Sequence, residues 1–217
     1  MNKSKFEKTY MENSWKEEKH QAYKKENIDE SIVRFQKFIE SKNVRGKLLD
    51  VGCGNGKNTI FFQQKGFDAT GIDFAKSAID ICQDNAKKSK VKPKFIVADI
   101  LEYKSKDKFD AIIDCGCLHH IRKNYWNKYR MMLRENMNDK GYYYLHSICE
   151  CKENKKLPKH PKNRNWIINK KGHYTHFISA KEIEKTFGKD FKILKQYKFK
   201  SQNSSLTIIA FYMQRRK

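Results

Sequence analysis

Residues 48–56 read Leu48-Leu49-Asp50-Val51-Gly52-Cys53-Gly54-Asn55-Gly56, an apolar strand running straight into glycines at every second position. Such a turn carries no side-chain bulk, so its main chain can approach a ligand closely at the mouth of the helix that follows. Asp73 closes the next apolar run, 21 residues beyond Gly52. A doubly wound α/β fold places an acidic side chain at about that distance to receive ribose hydroxyls. Loop and carboxylate together point to a cofactor with an adenosine moiety.

Spacing separates the classes of glycine loop. A dinucleotide fingerprint, G-x-G-x-x-G, needs its third glycine at position 57; Lys57 stands there, and the glycine arrives one residue early at Gly56. A phosphate-cradling loop ending in G-K-[ST] fails twice. Val51 occupies the place of its first glycine and Asn58 the place of its magnesium-binding hydroxyl. The pattern Asp50-x-Gly52-x-Gly54-x-Gly56 instead resembles motif I of class I S-adenosylmethionine (SAM) dependent methyltransferases.

The rest of the chain alternates as that family does. A helix from Gly56 through Gln64 is stopped by Gly66; Asp68 to Asp73 is a second strand, and Lys76 to Lys88 a helix with Ile79, Cys82 and Ala86 inward. Lys94 to Asp99 and Phe109 to Asp114 are further strands; a helix from about Asn124 to Met137, ended by Gly141, precedes a fifth strand, Tyr142 to Ile148. Such βα alternation calls for a parallel sheet covered on both faces. Ser179-x-x-Glu182 is a capping box opening a helix to Phe187, and Phe191–Phe199 with Leu206–Met213 form a closing hairpin. The resemblance, spanning residues 48–213, implies a Rossmann-like, doubly wound seven-stranded sheet of order 3-2-1-4-5-7-6 with strand 7 antiparallel.

One domain is expected over residues 1–217, with a helical arm (1–46) before the core (47–217) and an inserted, lysine-rich loop at 152–172. In the arm, Ile28, Ile32, Phe35 and Ile39 recur at helical spacing after Asn27, a plausible N-cap with Glu30 three residues on. Phe6, Tyr10, Trp15 and Tyr23 either lie across the cofactor as a lid or pack on the body of the domain. An apolar content of 38% suffices for a core; no run of about 18 apolar residues marks a membrane span, and the N-terminus lacks the apolar stretch of a secretory signal. Six cysteines in 217 residues suit a reducing cytoplasm. The net charge of +22 comes from 47 basic residues, only eight of them arginine, interspersed with acids as in Lys16-Glu17-Glu18-Lys19. That pattern favours a solvated surface over a nucleic-acid footprint, since no basic stripe or RNA-binding motif accompanies it.

By resemblance, Asp50 and the loop residues Gly52, Cys53, Gly54 and Asn55 hold the methionine end of SAM, and Asp73 takes the ribose with Phe74 along the adenine. Asp99-Ile100 matches the segment that bonds the adenine amine. Asp114 and Cys115 end strand 4 at the reacting region. Asp73 and Asp99 also stand at strand-to-helix junctions, where Asp is favoured as an N-cap. Asp114-Cys115-Gly116-Cys117-Leu118-His119-His120 and Gly172-His173-Tyr174-Thr175-His176-Phe177 resemble segments of small-molecule methyltransferases of the thiopurine and tellurite-resistance type. His119, His120 and His173 are the candidate bases or substrate contacts, their ordinary pKa near 6.5 suiting either role. Cys115-x-Cys117 and Cys149-x-Cys151 raise a competing idea, a soft metal or metalloid held by four thiolates, although structural zinc sites use C-x2-C; no metal is expected.

The resemblance thus implies methyl transfer from SAM to a small nucleophile such as a thiol or chalcogen. The post-strand-4 segment lacks the [DNS]-P-P-[YFW] signature of amino-methylating nucleic-acid enzymes, and no proline precedes a cysteine as cytosine-C5 enzymes require. An RNA or protein methyltransferase using the basic surface, and a non-catalytic module of the same fold, are the alternatives.

Overall fold

Seven strands form one sheet whose core is apolar on both faces, as βα crossovers demand. The computed structural model describes residues 12–13, 15–16, 28–157, 162–169, 173–201 and 204–217. Helix α1 (Glu30–Glu40) leads into β1 (Lys47–Val51), α2 (Lys57–Gln64), β2 (Asp68–Asp73), α3 (Lys76–Lys88), β3 (Lys94–Val97) and β4 (Phe109–Cys115). There follow α4 (Trp126–Asn136), β5 (Met137–Ile148), a short α5 (Lys152–Lys155), β6 (Trp166–Ile168), β7 (Tyr174–His176), α6 (Ala180–Phe187), β8 (Phe191–Lys200) and β9 (Thr207–Arg215). The large sheet runs β3-β2-β1-β4-β5-β9-β8, and β6 and β7 make a separate ribbon. Counting only strands of the large sheet, this is the order 3-2-1-4-5-7-6, with the last strand antiparallel to both neighbours.

One face is covered by α1 and α2 and the other by α4 and α6. Ile32, Phe35 and Ile39 of α1 are fully buried against Leu48, Ala111, Ile113 and Tyr144. The Phe35 ring stacks on Tyr144 at 4.9 Å, and the Tyr144 hydroxyl donates to Ser31 Oγ at 2.6 Å. On the opposite face Trp126, Tyr129 and Leu133 of α4 and Ile183 and Phe187 of α6 pack on Leu49, Ile112, Tyr143 and Leu145. The second part of the arm is therefore a layer of the core. Among the described residues no helix is long and apolar enough to cross a membrane.

Several local expectations are corrected. The N-cap of α1 is Asp29, whose carboxylate accepts from Ser31 N–H at 2.8 Å; Asn27 lies outside the described residues, as do Phe6, Tyr10 and Tyr23. Gly141 does not end α4. That helix passes directly into β5 at Met137, and Gly141 sits inside the strand next to Lys140, whose φ is +62°. A register shift between Phe109 and Ala111 on the facing strand marks an irregular ladder there, where glycine in a strand is at home. The third strand ends at Val97, leaving Asp99 in the loop beyond it. The capping box of α6 is present in both halves, Ser179 and Glu182 each bonding the other's main chain.

The segment expected as an insertion is tied to the sheet by one side chain. Asn154 is fully buried; its amide donates to Cys149 O (2.7 Å) and Thr207 O (2.8 Å), and its Oδ1 accepts from Thr207 N–H (2.8 Å). Replacing Asn154 by Ala strands Cys149 O and Thr207 N–H, while Thr207 O keeps Cys149 N–H at 3.0 Å, so urea unfolding should show a loss of about 2–4 kcal/mol. A loss under about 0.5 kcal/mol would mean water replaces the amide.

Candidate active site

The loop after β1 folds so tightly that its glycines have no alternative. Gly52 (φ +66°) and Gly54 (φ +57°) adopt left-handed conformations. A Cβ at Gly52 would stand 2.9 Å from Cys117 Cβ, and one at Gly54 would stand 2.9 Å from the Trp15 ring. Gly52 and Cys53 N–H donate to Ile72 O at 2.8 and 3.0 Å, and Gly54 N–H donates to Asp73 Oδ2 at 3.1 Å. The loop is thereby pinned to the carboxyl end of β2. Asn55 is buried, accepting from Lys57 N–H through Oδ1 and from the Asn85 amide through its carbonyl. The Cys53 thiol turns inward, its Sγ 3.9 Å from Cys82 Sγ, and burial raises its pKa well above the ordinary thiol value.

Two carboxylates frame this loop differently. Asp50, only 2% exposed, accepts from Thr59 Oγ1 at 2.7 Å at the start of α2. Burial pushes its pKa up to about 7 against that hydrogen bond, with the nearby charges of Asp114 and Asp73 adding to the rise. Asp73 accepts from Gly54 N–H through one oxygen and from Ala75 N–H (2.9 Å) through the other. Phe74 is half-buried beside it. Glu12 reaches Ser77 N–H at 3.3 Å while its carbonyl accepts from Ser77 Oγ at 3.0 Å, which seats Trp15 on the loop at Gly54.

Beyond β3, Asp99 is half-buried and accepts from Leu101 N–H at 3.0 Å, the turn-capping geometry open to it from sequence. Ile100 points away into the core of the α4/α6 face.

Asp114, expected to face the reacting region, turns its carboxylate into its own chain. Oδ1 accepts from Gly116 (3.1 Å) and Cys117 (2.7 Å) N–H; Oδ2 accepts from Leu118 N–H (3.0 Å) and the Tyr129 hydroxyl (2.6 Å). Burial raises its pKa to about 6 despite these four donors. Asp114 thus shapes the turn that presents Cys117 to Gly52. Cys115 packs on the α1 face, whereas Cys149 and Cys151 lie in the core of the other face. The four cysteines therefore do not form a thiolate quartet. No group of three or more His, Cys, Asp or Glu that could hold a metal occurs among the described residues.

The three candidate histidines are brought together. His119 and His120 ring centroids are 4.0 Å apart, and His120 and His173 are 4.3 Å apart. His119 is buried, with Nδ1 3.1 Å from Ser147 Oγ; burial lowers its pKa well below 6.5, and His120, His146, His173 and His176 lower it further. His120 Nδ1 donates to Tyr174 O at 3.1 Å, and His173 N–H donates to Asn169 Oδ1 at 2.9 Å. The ribbon is held by Tyr174 hydroxyl to His176 Nδ1 (2.9 Å) and His176 Nε2 to Glu182 Oε1 (3.1 Å). Hydrogen bonds from His176, Lys123 and Ser179 hold the Glu182 carboxyl well below the ordinary range, overcoming its partial burial, which acts the other way. Sequence reasoning missed Thr59, Tyr129 and Ser147. Only Ser147 left a trace, a hydroxyl in the alternating row Tyr143, Leu145, Ser147.

Residues 48–141 match the family model described as a methyltransferase domain. The ubiquinone biosynthesis O-methyltransferase of Pelagibacter ubique is 36% identical over 98 residues, 43% of this chain and 40% of that protein. The 2-heptyl-1-hydroxyquinolin-4(1H)-one methyltransferase of Mycobacteroides abscessus is 34% identical over 87 residues, covering 39% of this chain and 38% of that protein. The chain thus spans about two fifths of the length of these curated relatives. Burkholderia thailandensis 1,6-didemethyltoxoflavin-N1-methyltransferase, solved with S-adenosylhomocysteine, superposes with a TM-score of 0.78 at 14% identity over 98% of this chain and 88% of that one. Residues 48–141, from β1 into β5, thus match a methyltransferase domain, and the superposition extends the corresponding Rossmann-like fold over 98% of the chain.

The raised pKa of Asp50 has a consequence for stability. A carboxyl that holds its proton more tightly when folded contributes stability that is full below the unfolded value near 4 and is lost as pH rises to about 7. Between those limits wild type should lose up to about 1.4 kcal/mol per pH unit relative to Asp50→Asn, which does not titrate. Urea melts of both proteins from pH 4 to 8 check this; a pH-independent difference would contradict it.

Proposed function

We propose that this protein transfers a methyl group from SAM to a small-molecule nucleophile. The observation that carries the reading is the left-handed glycine loop pinned by Gly54 N–H to Asp73, which sets close-packed main chain beside a carboxylate at the end of β2. When bound, SAM supplies an activated methyl on a sulfonium. The chain must seat it, align the acceptor and exclude water. Gly52–Asn55 and Asp73 would hold the methionine and ribose parts. Phe74 and the Asp99–Ile100 main chain would line the adenine, and Trp15, over Gly54, would close the site as a lid. Asp50 and Asp114 shape this seat from beneath, and Cys115 contributes through its main chain at the end of β4.

A small acceptor is favoured by the names of the relatives, which carry a ubiquinone precursor pathway, a hydroxyquinolone and a toxoflavin precursor. The resemblance to the thiopurine and tellurite-resistance branch points to thiol or chalcogen acceptors, which need no base once ionised. Hydroxyl and N–H acceptors need one, and His119 and His120, just after β4, with the His173 ring 4.3 Å from that of His120, would be placed to supply it.

Isothermal titration should show SAM binding to wild type, and Asp73→Ala should weaken it about 10- to 100-fold. A labelled-methyl assay against small thiols, phenols and heterocyclic amines should give product at low and at 0.3 M salt alike. Product only with RNA, lost steeply with salt, would move the assignment to a nucleic-acid acceptor. SAM binding with no transfer to any acceptor would make the chain a binding module.

A further inference from the structure

Helix α3 starts without a cap of its own. Ala75 holds the N-cap position with no side-chain acceptor, and the first turn contains no acid. The first N–H groups of any helix lack an intrahelical partner. Asp73 accepts that of Ala75 at 2.9 Å. The N–H of Ser77 is met from the arm: both oxygens of the Glu12 carboxylate lie within reach, at 3.3 and 3.4 Å, and Ser77 Oγ donates back to Glu12 O at 3.0 Å. Three residues on, the Trp15 ring fills the space beside Gly54, where a Cβ would stand 2.9 Å from it. The spaces beside Gly52 and Gly56 are filled from the body of the domain, by Cys117 and by Cys82 with Phe95. Only that at Gly54 is filled by the arm. The arm thus touches two walls at the carboxyl end of β2, the glycine loop through Trp15 and α3 through Glu12. Asp73 lies between those walls, bonded to Gly54 N–H on one side and Ala75 N–H on the other.

We propose that Glu12 and Ser77 form a latch that holds the arm across the crevice at Asp73, so that SAM and S-adenosylhomocysteine enter and leave when the latch opens. This rests on the methyl-transfer reading for the identity of the ligand and adds the step that controls its exchange. The chemistry of the latch suits repeated opening. The Glu12 side chain is 28% exposed, and its salt bridge to Lys16, at 3.6 Å, lies at the surface. Unlatching hands an N–H, a hydroxyl and a carboxylate to water, which satisfies all three, and so costs far less than breaking a dry network. Trp15 supplies the opposite tendency. Its ring leaves water when it seats on Gly54, which favours reclosing. A polar latch and an apolar seat on one short turn make the arm a gate that closes readily and opens without unfolding the sheet.

The latch carries a reporter independent of turnover. Among the described residues the Ser77 N–H meets only Glu12, so NMR hydrogen exchange should find that amide protected in wild type and fast in Glu12→Ala. The amides deeper in α3 should stay as slow as before. Stopped-flow binding of S-adenosylhomocysteine, followed by tryptophan fluorescence, should give association and release each about 5- to 20-fold faster in Glu12→Ala and Ser77→Ala. Ser77→Thr, which keeps both the hydroxyl and the N–H, should restore rates near wild type. Unchanged rates in both alanine variants, or an unprotected Ser77 amide in wild type, overturns the proposal. A change confined to association also overturns it, since Trp15 would then be a plug in the cofactor's place. Absence of S-adenosylhomocysteine binding by wild type defeats the methyl-transfer reading itself, and protection at Ser77 then still decides whether the arm is latched. Should Ser77→Ala fail to fold, Glu12→Ala, outside the sheet and its helices, decides.

Discussion

The site depends on how closely three glycines approach their neighbours. Gly52 lies against Cys117 after β4, Gly54 under Trp15, and Gly56 against Cys82 and Phe95, each with under 3 Å to a hypothetical Cβ. These contacts draw the ends of β1, β2 and β4 and the helix α3 around one turn. Any side chain there would separate elements whose side chains shape the pocket. The hydrogen bonds from Gly52 and Cys53 to Ile72 O and from Gly54 to Asp73 lock the arrangement from the β2 side.

Charge is distributed to match. Three carboxylates stand at the ends of adjacent parallel strands, and their mutual repulsion is contained by unequal environments. Asp114 is held by four donors, Asp50 by the Thr59 hydroxyl, and Asp73 by the main chain of Gly54 and Ala75. A cationic sulfonium settling among them would relieve the repulsion from Asp114 and Asp73 that adds to the burial-driven rise in the pKa of Asp50. The imidazole stack on the far side is held by the ribbon, itself fixed through Tyr174, His176 and Glu182. Base candidates and carboxylates thus arrive on different elements and are positioned by separate networks.

Much of this was legible in the chain. The strand-to-glycine transition at 48–56, the spacing to Asp73 and the periodic helix Lys76–Lys88 are local signals, and the sheet order came from the family resemblance that the closing hairpin completes. What failed was local ambiguity. Gly141 looked like a helix stop because nothing in Asn136-Met137-Asn138 marks a helix passing directly into a strand. β6 and β7, three residues each, are too short for periodicity to register. The partners Thr59, Tyr129 and Ser147 lie 9, 15 and 28 residues from the groups they bond, and only the folded sheet brings them there.

Hydrogen–deuterium exchange with and without S-adenosylhomocysteine tests the central claim most directly, because it reads the main chain of the loop itself. The account predicts slowed exchange concentrated in peptides covering residues 50–56, 73–75, 97–101 and 115–119. Protection that leaves residues 50–56 and 73–75 untouched, or none at saturating ligand, would contradict it.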